Sequence, residues 1–406
     1  MKILLETLTP LWTGNVDRDS PTLHETSLIG SLRWWYEGLH RGLGSRVKGC
    51  SPVEGQGCQF DAEAYKRAKR QSAEAAMEAG LENVCPACRL FGCTGWARRF
   101  RVSATAMDTL PLFFVSNRRM ASLTGNWLIR VFDGHKDTRT DHQGHRQTSF
   151  SFNNHSLWSE ELTLTFTPLH SYQTEEDKCL LAYLLHLVIT YGGLGAKVQN
   201  GFGQVKICRW EGDWPDHAVE RGRKTAQSMS SGSPSKDGAF NLARFFSYTY
   251  ELPHIRPYDR EAVVIGQPPA HFRYSDHFIP CAFDIRYKSS SKNPFTGQGT
   301  NFGMRPFFRN HFGQRAANAL LGESRPRRDD DRAGSRINVS HLYRDEGKWK
   351  LKIWGHVPAG LRDEHDKPVG IAEVTRAVDE FITGPQEMFP GSRVIQRFNR
   401  REELGL

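Results

Sequence analysis

The chain has 406 residues, of which 38% are hydrophobic and 24% charged, and its formal net charge is +9. These values are typical of a globular protein that is long enough for two domains. No stretch approaches the roughly 18 apolar residues of a membrane span, and the N-terminus lacks a signal-peptide layout, so we expect a cytoplasmic protein. The positive charge favours an anionic partner, of which nucleic acid is the commonest.

The N-terminal half shows alternating strand and helix patterns. A helix over 27–41 has its apolar residues on one narrow stripe. A helix over 175–191 is capped by Thr174 with Asp177 three residues on, and Gly192 ends it. Strand patterns cover 3–8, 128–132, 162–166 and 204–210, an exposed helix covers 62–80, and a polar hairpin or loop covers 133–147. This order predicts an α+β sandwich of ferredoxin-like type.

The C-terminal half partly repeats this order. Strand patterns occur at 282–288, 337–343 and 350–355, helix patterns at 305–321 and 371–382, and a glycine-rich stretch at 297–303. Two segments also echo each other, because 90–92 and 320–322 (LFG and LLG) are both followed by basic residues and a strand pattern. We therefore predict two ferredoxin-like (RRM-like) domains, 1–220 and 239–406, joined by a Ser-, Gly- and Lys-rich linker at 221–238.

Residues 192–204, here called the glycine-rich loop, invite comparison with nucleotide-binding motifs. Neither the dinucleotide-binding nor the P-loop spacing fits, and those motifs run from strand to helix, whereas this loop runs from helix to strand. We therefore expect loop amides and Lys197 to contact the phosphates of an extended chain, with Phe202 as a face for base stacking. The alternative is a long connection whose glycines only end the helix.

Arginines beside aromatic residues form a second pattern typical of single-stranded RNA binding. Three of them flank Trp96 and Phe100, which combines charge for the RNA backbone with surface for stacking. The alternative for each arginine is an ordinary surface ion pair. The predicted RNA-binding residues are Arg18, Arg33, Trp34, Arg98, Arg99, Arg101, Gly193, Gly195, Lys197, Gln199, Asn200, Phe202, Arg305 and Arg309.

Four cysteines, Cys50, Cys58, Cys85 and Cys88, form a candidate structural zinc site. Zinc takes four thiolates tetrahedrally, and a C-x-x-C pair supplies the chelating half of such a site. Cys93 can replace any of the four, and residues from about 48 to 95 would form an insertion pinned at its base. The alternative is a group of buried or surface thiols without metal.

Two groups of residues are candidates for catalysis. Asp17 and Asp19 lie between the first strand and the first helix, where carboxylates can bind a divalent ion or orient a 2′-hydroxyl. His135, His142 and His145 share the polar stretch 133–147 and can act as acid and base. In both cases we favour solvated polar residues over an active site.

The glycine-rich loop resembles that of the RAMP superfamily, whose members build type III CRISPR effector complexes. Three other segments agree, namely SLIGSLRWW at 27–35, CPACRLFG at 85–92 and WARRFRV at 96–102. Together with LWTG at 11–14, the paired tryptophans look most like the first-numbered RAMP subunit of the type III-B (Cmr) complex. The resemblance is strong over about residues 1–210 and weaker afterwards.

The resemblance implies ferredoxin-like domains in a cytoplasmic ribonucleoprotein of several RAMP subunits. It implies contact with CRISPR guide RNA near its 3′ end and with target RNA, no membrane, and no dedicated active site. Some RAMP subunits cut RNA with an aspartate in a loop comparable to that of Asp17 and Asp19, and others use histidines. An endoribonuclease is therefore the alternative function, and a structural protein without RNA contact is a third.

Overall fold

The computed structural model of the chain describes residues 1–14, 22–45, 57–115, 135–140, 144, 146–169, 174–230, 233–234, 239–252, 264–265, 282–287, 303–322, 334–384, 389 and 391–406. No helix within these residues is long and apolar enough to cross a membrane.

The N-terminal half forms one antiparallel sheet with helices packed against it. Its strands are β1 (Lys2–Thr7), β2 (Phe100–Val115), β3 (His135–Thr140), β4 (Arg146–Pro168) and β5 (Val205–Glu211). Its helices are α1 (Glu25–Leu43), α2 (Ala62–Ala68), α3 (Ala73–Leu81), α4 (Pro86–Phe91), α5 (Glu175–Tyr191) and α6 (Ala218–Ser228). The strand order is β5-β1-β4-β2, with β3 paired to β4. This is the arrangement of a ferredoxin-like domain.

The C-terminal half repeats the arrangement. Its strands are β6 (Phe245–Leu252), β7 (Val264–Ile265), β8 (Ile337–Val339), β9 (Tyr343–Asp345), β10 (Lys348–His356) and β11 (Arg393–Arg397). Its helices are α7 (Ala282–Tyr287), α8 (Met304–Leu321), α9 (Ile371–Thr383) and α10 (Arg400–Leu404). The second sheet has the order β11-β6-β10-β8, in which each strand occupies the same position as its counterpart in the first sheet. Strand β7 pairs with β2 of the first sheet. The predicted pair of ferredoxin-like domains is therefore confirmed.

The echo in the sequence occupies equivalent places in the two domains. Gly92 ends α4 and Gly322 ends α8, with φ/ψ of 91°/157° and 76°/165°. The Arg99 N–H donates to the Leu90 carbonyl at 3.0 Å, and the Arg336 N–H donates to the Leu320 carbonyl at 2.9 Å. In each domain this bond lies where the chain passes from a helix into the second strand of the ferredoxin-like sheet. The geometry supports duplication of one ancestral unit.

Helix boundaries in the first domain follow local signals. The predicted capping box of α5 is present, with Thr174 and Asp177 each accepting a backbone N–H of the other. The predicted helix at 62–80 is instead two helices, because the Ser72 side chain caps a new helix by accepting from the Ala75 N–H at 3.0 Å.

Two predicted elements were wrong. Residues 221–228, assigned to a linker, belong to α6, whose Gly222 lets the helix touch α5: a Cβ there would lie 2.0 Å from the Cys179 carbonyl. The segment 282–288 was assigned to a strand, but its described residues 282–287 form helix α7. The predicted strand at 128–132 lies outside the described residues.

The hydrophobic core of the first domain extends into the second domain, which also has a core of its own. Trp35 of α1 packs edge-on against Phe245 at 5.1 Å and lies 5.7 Å from Trp354 of the second sheet, measured between ring centroids. Leu404 of α10 belongs to the same cluster as the core of the first domain. The C-terminal helix thus returns to the first domain, where Glu403 accepts a hydrogen bond from the Tyr191 hydroxyl at 2.8 Å.

Candidate nucleic-acid interface and metal centre

The glycine-rich loop is tightly folded. Gly195, Gly201 and Gly203 have φ of +85°, +102° and +82°, a region that residues with a side chain rarely adopt. A Cβ on Gly203 would lie 2.2 Å from the Leu194 carbonyl oxygen, and one on Gly195 would lie 2.6 Å from that of Trp12. The glycines therefore permit close backbone packing as well as ending α5.

Backbone hydrogen bonds hold one side of the loop against the segment that follows β1. The Ala196 N–H donates to the Trp12 carbonyl at 2.7 Å, and the Gly203 N–H donates to the Pro10 carbonyl at 2.9 Å. The Gln204 N–H donates to the Thr9 hydroxyl at 3.0 Å. These amides bind protein groups, so they do not serve as the phosphate donors that the sequence suggested.

The other side of the loop packs against the second domain. The His341 N–H donates to the Gly201 carbonyl at 3.1 Å, and the Arg286 guanidinium donates to the Gln199 carbonyl. A Cβ on Gly201 would lie 2.7 Å from Nδ1 of His341. Asn200, between them, is buried. Much of the predicted RNA-binding loop is thus a contact between the domains.

A buried lysine on β10 closes the end of α5. Nζ of Lys352 donates to the carbonyls of Ile189 at 3.0 Å and Gly192 at 3.4 Å. Burial lowers the pKa of Lys352 to about 7. The C-terminus of α5 opposes this decrease in the pKa, because its carbonyls carry partial negative charge and stabilise the ammonium group. Lys352 therefore ties the second sheet to the base of the glycine-rich loop.

Polar side chains from both domains line a cleft of about 320 Å³ beside this lysine. Lys206 of β5 and Lys350 of β10 both donate to the Asp345 carboxylate, at 2.9 and 2.7 Å. Burial opposes ionisation of Asp345, but the bonds from the two lysines outweigh it and lower the pKa of the carboxyl group. The cleft thus contains an ion triad that bridges the domains.

The aromatic part of the loop prediction needs correction. Phe202 is fully buried and packs edge-on against Trp12 and His341, with centroids 5.7 and 5.0 Å apart, so it offers no exposed face to a base. Lys197 is half-buried, with Nζ 4.1 Å from the centroid of the Trp12 ring. Gly193 is buried, and Gln199 is the exposed residue of the loop.

Three of the predicted arginines bind groups of the protein itself. Arg33 pairs with Glu37 at 3.0 Å and donates to the Gly92 carbonyl at 3.0 Å. Arg99 pairs with Asp177 of the α5 capping box. Arg305 is buried and donates to the carbonyls that end α8, those of Leu321 and Gly322, at 2.7 Å each. For these arginines the structure favours the ion-pair and packing alternative.

Arg98, Arg101 and Trp34 are better placed for a ligand. Arg101 is exposed and Arg98 half-exposed, and neither has an ion-pair partner within the described part of the chain. Trp34 has 41% of its surface exposed. Arg309 is half-buried, and Arg18 lies outside the described residues.

The insertion brings three of the four predicted metal ligands together. Sγ atoms of Cys58, Cys85 and Cys88 all lie within 4.8 Å of one another, and the last two residues are buried. Cys50, the fourth predicted ligand, lies outside the described residues. Cys93 is half-buried but does not belong to this group.

The surroundings of the cysteines fit a metal-bound thiolate group. The Cys85 N–H donates to Sγ of Cys58 at 3.3 Å, and the Cys88 N–H donates to Sγ of Cys85 at 3.5 Å. The Arg33 guanidinium donates to Sγ of Cys88 at 3.1 Å. The hydrogen bond with Cys88 and burial raise the pKa of the Cys85 thiol, so metal binding there would release a proton. A soft thiolate set of this geometry can hold a metal.

The catalytic candidates cannot be placed. Asp17, Asp19 and His142 lie outside the described residues, as does His145. His135 begins β3, whose pairing with β4 agrees with the predicted hairpin, but its side chain also lies outside the described part.

Several residues of the site were missed from the sequence. Lys352, His341 and Arg286 reach the glycine-rich loop from the second domain, and no local pattern links them to it. Phe240, which stacks on Trp34, has a detectable signal: Gly38 and Gly42 lie one turn apart on α1, a spacing that indicates close approach of another segment.

The duplicated βαββαβ architecture and the loop packed between its domains define a class of tandem ferredoxin-like proteins. A family model for the RAMP superfamily matches residues 4–206, and the chain belongs to that superfamily. The resemblance drawn from the sequence is therefore confirmed.

Solved structures to which the chain is similar include Cmr1 from Pyrococcus furiosus in its apo form, at 13% identity over 92% of each chain and a TM-score of 0.38. They also include a chain of type III-B Cmr-beta bound to cognate target RNA, at 12% identity over 93% of this chain and 98% of the other, with a TM-score of 0.42. No curated protein matches the chain in sequence.

Proposed function

We propose that the chain is a non-catalytic, RNA-binding subunit of a type III-B CRISPR ribonucleoprotein, working beside other RAMP subunits of a Cmr complex in the cytoplasm. Membership of the RAMP superfamily carries this proposal. In this role the chain contacts guide RNA near its 3′ end, target RNA, or both.

The distribution of cations supports an RNA ligand. The net charge is +9, and Arg67, Lys69 and Arg70 of the insertion are exposed without ion pairs inside the described part of the chain. Arg98 and Arg101 add to them at the start of β2. Cations without acidic partners are available to neutralise phosphates. The insertion and the start of β2 are therefore the surfaces on which we expect the RNA backbone.

The purified chain is expected to bind a fluorescein-labelled single-stranded RNA with an affinity that falls as salt rises. Replacing Arg98 and Arg101 together by Gln should lower the slope of log affinity against log salt by about 1.4, because each lost phosphate contact removes about 0.7. Fluorescence anisotropy in a salt series measures both quantities. Arg362→Gln is the matched control, since Arg362 is exposed but already paired with Asp366 at 3.2 Å.

Absence of any RNA binding by the folded chain would favour the purely structural role. The enzyme alternative is tested on the same samples by denaturing gel, with Mg²⁺ and with EDTA. We expect intact RNA in both. Cleavage that disappears in Asp17→Ala, Asp19→Ala or His142→Ala would replace the non-catalytic proposal by an endoribonuclease.

The proposed metal is a structural zinc ion held by Cys58, Cys85 and Cys88, with Cys50 or Cys93 as the fourth ligand. Three thiolates in reach of one another support it. Elemental analysis of the purified chain should give about one zinc per molecule, and Cys88→Ser should reduce this to well under half. Cys208→Ser is the control, because Cys208 is exposed on β5. A metal-free wild-type chain that keeps its fold would exclude the zinc site.

A further inference from the structure

Trp34 is an exposed aromatic ring that already rests on a second ring. Its indole stacks on Phe240 with centroids 3.6 Å apart and planes 6° from parallel, so one face is covered. Yet 41% of the residue stays exposed, which places the open area on the side away from Phe240. A single exposed apolar residue is ordinary on a protein surface, but this ring is distinguished by lying flat on a second, buried ring.

Glycines of α1 hold the stack in place. A Cβ on Gly38 would lie 2.4 Å from ring atoms of Phe240, and one on Gly42 would lie 3.0 Å from the Ala243 nitrogen. The segment after residue 239 therefore lies directly on the helix backbone, and no side chain separates the two. Because Phe240 itself is buried, the ring below Trp34 is fixed before any ligand arrives.

Two arginines of the second domain lie near the histidine that packs against Phe240. Phe240 lies 5.3 Å from the ring of His356, measured between centroids. The His356 N–H donates to the Arg336 carbonyl at 3.2 Å, and the Val357 N–H donates to the Arg244 carbonyl at 3.0 Å, so both arginines border this histidine. Burial and then the two positive charges lower the pKa of His356 to about 4, which leaves the imidazole neutral at physiological pH.

Neither of these guanidinium groups has an ion-pair partner among the described residues. Both arginines are half-exposed. The nearby carboxylate of Glu37 is already neutralised, because Arg33 binds it at 3.0 Å and Arg41 at 3.3 Å. The region around His356, which packs against Phe240, thus carries positive charge without an ion-pair partner among the described residues.

We propose that the Trp34–Phe240 stack is a platform for one unpaired RNA nucleotide, whose base stacks on the open face of Trp34 while Arg244 and Arg336 bind the adjoining phosphates. This site lies where the two domains meet, and the proposal rests on the proposed RNA-binding function. Stacking accepts any base, so the platform would hold the strand without reading its sequence.

The charge decides between RNA and a protein as occupant. Trp and Arg are both common in protein interfaces, but an RNA strand offers a base for the ring and a phosphate for each unpaired arginine at successive nucleotides. Rigid stacking below the open face also lowers the entropy lost when a base binds.

The test measures binding of a short fluorescein-labelled oligouridylate by anisotropy at several salt concentrations. Trp34→Ala should weaken binding about 5- to 100-fold with an unchanged salt slope, because base stacking is uncharged. Trp34→Phe should retain most of the affinity, since a phenyl ring still stacks. Arg244→Gln and Arg336→Gln should each lower the salt slope by about 0.7.

Two matched controls define the background. Ile395→Ala removes another large apolar residue that is 42% exposed, and Arg362→Gln removes an exposed arginine that is already paired. Thermal melting of every variant shows whether it folds. Binding by Trp34→Ala at wild-type affinity would overturn the platform while leaving the proposed function intact. Failure of the folded wild-type chain to bind RNA would overturn both. Unchanged RNA affinity combined with lost capture of a neighbouring RAMP subunit would assign Trp34 to a protein contact.

Discussion

Acidification from about pH 7 to about pH 4 is expected to unfold the protein, with the free energy of unfolding falling by up to about 4 kcal/mol per pH unit. Two buried histidines and one half-buried histidine cause this. Burial lowers the pKa of His40 to about 4 and that of His341 to about 3, and burial with two neighbouring arginines lowers that of His356 to about 4.

The direction follows from proton uptake on unfolding. In the unfolded chain each histidine has its ordinary pKa of about 6.5, so between that value and the folded pKa the unfolded state binds one more proton per histidine. Their contribution to stability is full above about pH 6.5 and is lost as the pH falls. Lys352 affects the free energy of unfolding in a different pH range. Its pKa of about 7 is far below that of a free lysine, so its contribution to stability rises with pH above about 7.

Urea unfolding followed by circular dichroism across this pH range measures the slope. His341→Asn is expected to reduce it by about 1.4 kcal/mol per pH unit, because the amide oxygen can still accept the bond from the Ala282 N–H (3.0 Å in the structure) but cannot be protonated. His217→Asn is the matched control, since His217 is exposed. Equal slopes for all three proteins would show that His341 does not titrate as described.

Helices were predictable where their signals are local. The capping box at its start and Gly192 at its end define both ends of α5 from local sequence. By contrast, the segment of α7 alternates apolar and polar residues and suggested a strand, while β6 was missed because six of its eight residues are buried and show no alternation. Tertiary packing, and not the local sequence pattern, determines that α7 is a helix and β6 a strand.

The candidate site was predictable only in part. The C-x-x-C pair is a local motif, and the structure brings Cys58 to it. The composition of the glycine-rich loop indicated a special backbone but not what it packs against, because Gly201 contacts His341 and the Gly203 N–H binds the Pro10 carbonyl, both more than a hundred positions away. The stacking role of Phe202 was predicted from its residue type alone. Its side chain is buried, so it cannot stack on a base.

Gly203→Ala is expected to lower the free energy of unfolding by about 3–5 kcal/mol, although it adds one methyl group. Two costs combine. The backbone of Gly203 has φ +82°, which costs an alanine about 1–2 kcal/mol, and the new Cβ would stand 2.2 Å from the Leu194 carbonyl oxygen. That oxygen belongs to backbone held by the bond from the Leu194 N–H to Gly203 at 2.8 Å, so it cannot move without breaking the loop.

Two further glycine-to-alanine substitutions separate the backbone cost from the steric cost when the free energy of unfolding of every variant is measured in urea. Gly347 has φ +76° with no atom within 4 Å of a new Cβ, so Gly347→Ala should lose only the cost of the backbone, about 1–2 kcal/mol. Gly30 lies exposed in α1 with open space beside it, and Gly30→Ala should stabilise the chain by about 0.5–1 kcal/mol. If Gly203→Ala costs no more than Gly347→Ala, the loop is free to move, and its glycines do no more than end α5. A cost well above that value means that the backbone around Leu194 and Gly203 is held rigidly and cannot give way to the added methyl group.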